Sequence, residues 1–224
     1  MNEIEILRQF MSEKRINRIN SVLAKRTRFV TVVLEDIYHP PNASAVLRTS
    51  ECLGIQDLHI IENTKAYKPN SDVAIGASKW LTLHRYKGTA SDNTETCICA
   101  LRKKGYKLAA AVPENNEAIS LYDLPTNSPT AFCFGTEETG LSKKLIDAAD
   151  YRITIPMYGF TESFNISVAA AICLSSFIQR VRKDNRNIAL PEEEKKELAL
   201  DWHRKSVKNY QQILEHLKQK DESI

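Results

Sequence analysis

The sequence predicts an α/β domain built on a parallel sheet, with a helical extension at each end. Three observations predict it. Between residues 29 and 182, short apolar runs rich in β-branched residues alternate with longer stretches of helical period, the pattern of repeated strand–helix units. Residues 1–28 and 183–224 lie outside that alternation and read as helical. Two apolar runs in the C-terminal half each break at a loop of small and polar residues and then enter a helix. These are Phe134-Gly135-Thr136-Glu137-Glu138-Thr139-Gly140-Leu141-Ser142, and Ile155-Pro156-Met157-Tyr158-Gly159 continuing through Ser163-Phe164-Asn165. Loops at the carboxyl ends of strands are where α/β proteins form their pockets.

The first 28 residues read as one helix, with Ile16, Ile19 and Leu23 on one face and basic residues on the other. Residues 29–34 form a buried strand. Residues 36–41 form a loop, with Pro40-Pro41 excluding helix before Asn42. Asn42 then caps a helix from Ala43 to Leu53, which Gly54 terminates. Further strands follow at 58–61, 80–85, 107–112, 131–134 and 152–155, with polar loop over 62–79. Helices start at the capping-box-like Asp92-Asn93-Thr94-Glu95, at Ser142 and near Asn165, the last running to about Val181. From Pro191 the chain reads as a further helix, with Ala199, Trp202, Ser206, Tyr210, Ile213 and Leu217 stepping by three and four. That stripe suits docking on the domain or on a second copy better than a cofactor.

With 224 residues, 42% hydrophobic and 26% charged, the chain has the composition of a globular protein with a sizeable core. No apolar run approaches a membrane span, and the N-terminus lacks a signal-peptide pattern, so residence in the cytoplasm is expected. Cys52, Cys97, Cys99, Cys133 and Cys173 are odd in number and lack C-x-x-C spacing, which reads as reduced thiols. The five histidines show no metal-ligand spacing, so no metal is expected. Net charge is only +3, but it is uneven. Residues 1–28 have a surplus of four positive charges, and Arg180, Arg182, Lys183 and Arg186 cluster against Asp184. These runs are either solvated helix faces or a footprint for a phosphate backbone, with Arg15, Arg18, Lys25, Arg26, Arg180 and Arg182 as the candidate contacts.

Gly135 follows a strand directly, where a bare backbone admits a ligand, and Gly140 supports the turn before Ser142. Glu137 either caps a neighbouring amide or orients a basic side chain or ligand hydroxyl. Ser163 and Asn165 stand where the long helix begins; one suffices as a cap, and both together can direct donors at a polar or anionic group. Arg48 lies among Ala45, Val46, Leu47 and Thr49. It either pairs with a carboxylate such as Glu51 or binds an RNA phosphate or a substrate hydroxyl.

The set Asn42-x5-Arg48-Thr49 with Gly54, then Phe134-Gly135-x-Glu137-x2-Gly140-Leu141, then Ile155-Pro156-Met157-x-Gly159-x3-Ser163-x-Asn165-x-Ser167-Val168-Ala169, resembles the SpoU/TrmH branch of the SPOUT RNA 2′-O-methyltransferases. The three ordered motifs cover roughly residues 30–182. Within the branch the likeness is greatest to the group that methylates the ribose of guanosine 18 in tRNA; Gly76-Ala77-Ser78-Lys79-Trp80 and the short terminal helices support this. The resemblance implies a domain whose C-terminal part is tied in a deep trefoil knot. It implies S-adenosylmethionine bound in the knot, with Val112, Gly135, Ile155 and Phe164 lining the pocket, and a homodimer whose site lies near the subunit interface. By the same resemblance Arg48 is the catalytic residue. Arginine stays protonated in proteins, so the expected role is a fixed cation that stabilises the developing alkoxide. Glu137 or Asn42 would hold the guanidinium, and Ser163 and Asn165 would shape the site. This chain departs from the usual pattern at Glu138-Thr139, where the common glycine-rich variant is absent, and at Phe164, where leucine is usual.

The function expected is therefore methylation of a ribose 2′-hydroxyl in the D-loop of tRNA. Ribosomal RNA or another tRNA position is the alternative target, and a non-catalytic RNA-binding protein on the same scaffold the alternative class. A nucleotide-binding dehydrogenase is disfavoured, because the first strand leads to Tyr38-His39-Pro40-Pro41-Asn42 and not to G-x-G-x-x-G.

Overall fold

The structure is a computed structural model that describes residues 2–37, 39–64, 66–67, 74, 76–88, 92–114, 117–184 and 186–221. Tyr38 and part of the loop expected over 62–79 lie outside these residues. The chain divides into two compact units: residues 27–188, and residues 1–26 together with 189–224.

The larger unit is organised by β1 (Val30–Glu35), whose six residues are all buried. A strand covered on both faces reads as an unbroken apolar run, as Val30 to Leu34 does apart from Thr31. β1 pairs in parallel with β2 (Asp57–Glu62) on one side and β6 (Thr130–Phe134) on the other. With β3 (Thr82–Lys87), β4 (Lys107–Ala111), β5 (Ile119–Ser120) and β7 (Tyr151–Thr154), the sheet runs β3-β2-β1-β6-β4-β7-β5, and every described pairing is parallel. The expected parallel sheet is thus present. Two-residue β5 was not anticipated; it is too short to carry a periodic signal.

Strand alternation sends side chains to two separate cores. Val32 and Leu34 of β1, with Phe132 and Phe134 of β6, face one core. Val33, Ala131 and Cys133 face the other. The first core is covered by α3 (Pro40–Leu53) and α6 (Ile166–Lys183), which pack on each other. Phe177 of α6 meets Phe132 edge-on at 5.2 Å. The second core is covered by α4 (Asn93–Lys103), capped by Asp92 as expected, and by α5 (Lys143–Ala148), capped by Ser142.

One boundary differs with consequence. The helix expected to start after Asn42 starts at Pro40, with His39 at the cap position. Proline is compatible with the first helical turn, where no backbone N–H is needed and φ is already near the helical value. Asn42 is therefore inside the helix, and its side chain is not consumed as a cap. The other end is as expected, with Gly54 at φ 82° closing α3.

The smaller unit contains α1 (Glu3–Arg8), α2 (Glu13–Leu23), α7 (Glu192–Ser206) and α8 (Tyr210–Asp221). Two expectations of single helices are corrected here. The N-terminal helix breaks before Ser12, whose hydroxyl caps α2 by accepting from the Arg15 N–H. The C-terminal helix breaks at Val207–Asn209, where Asn209 takes φ 56°. The apolar stripe does pack, and it packs on the N-terminal helices. Trp202 is buried, the Arg26 guanidinium lies 5.1 Å from its ring centroid, and Arg204 holds Glu3 through bonds of 2.6 and 2.8 Å. His203 Nε2 accepts from Arg8 at 3.4 Å, which leaves Nδ1 to donate to the Ala199 carbonyl at 2.6 Å, and burial holds this imidazole below its usual pKa.

His59 of β2 is buried, stacks on His84 at 4.5 Å and bonds the Tyr86 hydroxyl through Nδ1 at 2.8 Å. Burial, aided by the charge of His84, pushes its pKa from 6.5 down to about 3. The unfolded chain therefore binds a proton at this position that the folded chain refuses, and stability falls as pH drops from 6.5 toward 3. Urea denaturation at about pH 7.5 and about pH 5 should show a loss at the lower pH. The loss should be smaller in His59→Gln; an equal loss in both proteins would exclude His59 as its source.

Candidate active site

The parallel register places Leu34 of β1 beside Phe134 of β6. The loops that follow the two strands therefore leave the sheet at the same edge, and the loop after β7 joins them. This is the switch point of the sheet, from which the chain passes to β2 on one side and to β4 and β6 on the other.

The first loop, 135–142, closes on its own backbone. Thr136 and Gly140 exchange hydrogen bonds of 3.2 and 3.0 Å, and Gly140 takes φ 68°. A Cβ on Gly135 would lie 2.1 Å from the Gly140 carbonyl carbon and oxygen and 2.3 Å from the Leu141 nitrogen. Gly135 is thus required by the loop's own close approach, a reason that the sequence reading assigned to a ligand.

The second loop ends at Asn165, the cap of α6. Its Oδ1 accepts from the Ser167 N–H at 2.9 Å and the Ser167 hydroxyl at 2.6 Å. Those two bonds fix the amide orientation and turn Nδ2 outward. Nδ2 donates to Asn42 Oδ1 at 3.2 Å and reaches Glu137 Oε1 at 3.5 Å. Asn42 Nδ2 donates to the same Glu137 oxygen. Asn42 in the first turn of α3, Glu137 in the first loop and Asn165 at the cap of α6, 28 to 123 residues apart in sequence, form one network. Glu137 is exposed, and its second oxygen is not used by this network.

Beside the network lies a cavity of about 410 Å³. Val112, Gly135, Ile155 and Phe164 line it, together with Glu137 and Ser163. Sequence reasoning missed Thr154, whose buried hydroxyl has no hydrogen-bond partner among the described residues. Its position on the last residue of a strand gave no motif to find it by. Missed too were Met157 and Leu141 in the wall, which belong to the quoted motifs and read as ordinary apolar positions.

Arg48 is not among the residues lining that cavity. It is exposed on α3 and has no hydrogen bond or ion pair among the described residues, so the pairing with Glu51 is not formed. Six residues separate it from Asn42, about 9 Å along a helix axis and on another face. Two candidate phosphate contacts are corrected. Arg26 is fully buried beside Trp202, where no phosphate can reach it. Arg180 is half-buried and donates to the carbonyls of Leu121 and Leu124. Arg15, Arg18 and Lys25 are exposed, as is Arg182, which also donates to the Leu53 carbonyl at 3.3 Å. Among the described residues no group of three or more His, Cys, Asp or Glu could hold a metal ion.

Residues 29–175 match the SpoU rRNA Methylase family. The chain belongs to this family. Among SpoU relatives, it is 43% identical over 213 residues to a tRNA (guanosine(18)-2′-O)-methyltransferase of Borreliella burgdorferi, covering 95% of both chains. The A. aeolicus TrmH/SpoU tRNA modifying enzyme superposes with a TM-score of 0.76 at 28% identity, over 88% of this chain and 98% of that one. The fold is shared as well with the SpoU methyltransferase AviRb of Streptomyces viridochromogenes, solved in complex with AdoMet (TM-score 0.60, 21% identity, 73% of this chain and 64% of that one).

Gly135→Ala should cost about 1–3 kcal/mol or more, the price of forcing a methyl group into a filled space. The measurement is the urea midpoint; a midpoint equal to the wild type's would show that the 140–141 backbone yields freely.

Proposed function

We propose that this SpoU protein transfers a methyl group from S-adenosylmethionine to the 2′-oxygen of a ribose in RNA, and that the target is guanosine 18 in the D-loop of tRNA. One observation carries the reading: Asn42, Glu137 and Asn165 meet at the rim of a cavity whose wall contains the expected donor-pocket residues. The activity of the Borreliella burgdorferi relative, aligned over nearly the whole chain, supports the same target.

The pocket residues fit the donor. Apolar walls from Val112, Ile155, Met157 and Phe164 suit an adenosine, and the buried hydroxyl of Thr154 is available to a polar atom of it. When bound, S-adenosylmethionine supplies an electrophilic methyl on a sulfonium. The rest of the work is positioning and charge. Ser163 borders the place where the ribose is held, and the Asn42–Glu137–Asn165 network keeps the Glu137 carboxylate facing it. That carboxylate orients the guanidinium of Arg48, which stabilises the oxyanion as the 2′-hydroxyl loses its proton to an RNA phosphate.

Arg48 reaches such a site across a homodimer, serving the cavity of a partner protomer. The exposed apolar surface supports dimerisation: Tyr158 and Phe160 are fully exposed, and Phe164 and Val168 nearly half so, beside the cavity and on the first turn of α6. The knot is part of the same proposal, with β6, β7 and their loops as the tied segment. Arg15, Arg18, Lys25 and Arg182 contact the RNA backbone. Cytoplasmic residence fits the five free cysteines and the lack, among the described residues, of a helix long and apolar enough to cross a membrane.

Mapping of ribose methylation in tRNA from cells with and without the gene tests the target; persistence of the guanosine 18 methyl without the gene would refute it. Arg48→Ala should lower turnover at least about a hundredfold. It should leave the affinity for S-adenosylhomocysteine unchanged, as read by calorimetry. Reversing the charge of Arg15 and Arg18 together should weaken tRNA binding and flatten its salt dependence. Filter binding across a salt series reads this, and an unaltered slope would assign α2 a structural role only.

A further inference from the structure

Glu35 is a buried carboxylate that the proposed chemistry does not use. It ends β1, is 3% exposed, and has no cationic partner among the described residues. A buried carboxylate without a cation costs stability unless hydrogen bonds replace its water. Here three donors do so. The Ser142 N–H donates to Oε2 at 2.7 Å, while the Ser142 hydroxyl and the Thr94 hydroxyl donate to Oε1, each at 2.8 Å.

Ser142 closes the loop that starts at Gly135. The residue before it, Leu141, lines the cavity, and the Gly140–Leu141 backbone is what lies against Gly135. Ser142 also caps α5, accepting from the Leu145 N–H at 3.3 Å. Glu35 therefore holds the far end of the loop while the sheet holds its near end. Through Thr94 the hold extends further, because Thr94 Oγ1 accepts from Asn63 Nδ2 at 2.9 Å. One carboxylate thus ties the 135–142 loop to the N-terminus of α4 and to the segment after β2.

We propose that Glu35 is a positioning residue for the methyl donor: it sets the shape of the 135–142 loop and with it the affinity of the pocket. This rests on the donor reading given above. All three bonds present a donor to the carboxylate, whereas a glutamine of the same size offers one acceptor oxygen. Its –NH2 would face either the Ser142 N–H, a clash of two donors, or the two hydroxyls, each of which must turn over to accept and so gives up the bond it donates.

The test compares Glu35→Gln, Thr94→Val and Ile98→Val with the wild type. Ile98 is a buried residue of α4 in the second core and is not itself among the residues lining the cavity, so its variant controls for lost stability. Calorimetry with S-adenosylhomocysteine should show affinity reduced about tenfold in Glu35→Gln and less in Thr94→Val. Ile98→Val should bind as the wild type does. At saturating donor, kcat and the KM for tRNA should stay within about twofold of wild type in Ile98→Val. Wild-type affinity in Glu35→Gln would overturn the proposal, as would an equal loss in an Ile98→Val protein of matching melting temperature. If Glu35→Gln does not fold, Thr94→Val decides alone, and unchanged affinity there overturns it. A wild-type protein that binds no S-adenosylhomocysteine would instead sink the donor reading itself, and this inference with it.

Discussion

Parallel pairing of β1 with β6 is the constraint on which the rest of this structure depends. Strands that run the same way deliver their following loops to one edge of the sheet. The register Leu34↔Phe134 then sets Glu35 beside Gly135, and everything at the site follows from that adjacency. Glu35 reaches Ser142, the loop from Gly135 folds back on Gly140, and α3 rises from the same edge to bring Asn42 to Glu137. The register is held by alternation on two covered faces. A slip of one residue would send Phe132 and Phe134 into the core built for Ala131 and Cys133.

Charge is used in two separate ways. Within the cores and between helices, cations are spent on structure: Arg26 beside Trp202, Arg180 on two carbonyls, Arg204 on Glu3. Each has lost the freedom that binding a phosphate backbone needs. Arg48 and Arg18 have kept it, on exposed helix faces. A positive run in a sequence therefore overstates the charge available to a nucleic acid, because long basic side chains also serve as packing and capping groups.

The candidate site residues were easier to single out than the helix boundaries around them. Asn42, Glu137, Ser163 and Asn165 stood out because each is a polar residue in a loop or at a helix start that follows an apolar strand run, and the structure gathers all four at one end of the sheet. The start of α3 was misread, since a proline pair marks either a barrier or a first turn, and only the neighbours decide which. The breaks before Ser12 and at Asn209 were invisible because the apolar period continues across them. Nothing in the sequence marked Glu35, a lone acidic residue after the apolar run 29–34. Its three donors come from residues about 59 and 107 positions away.

Local chemistry alone determined the alternation of strands and helices, the glycine that ends α3, the caps Asp92, Ser142 and Asn165, and the polar residues offered to a site. All of these act over a few residues, through backbone geometry and the period of burial. Only the tertiary structure decided which cations are buried, why Gly135 admits no side chain, and that Asn42 bonds Glu137 while Arg48 faces elsewhere. Those outcomes depend on contacts between segments far apart in the chain, and a one-dimensional pattern carries no record of which segments meet.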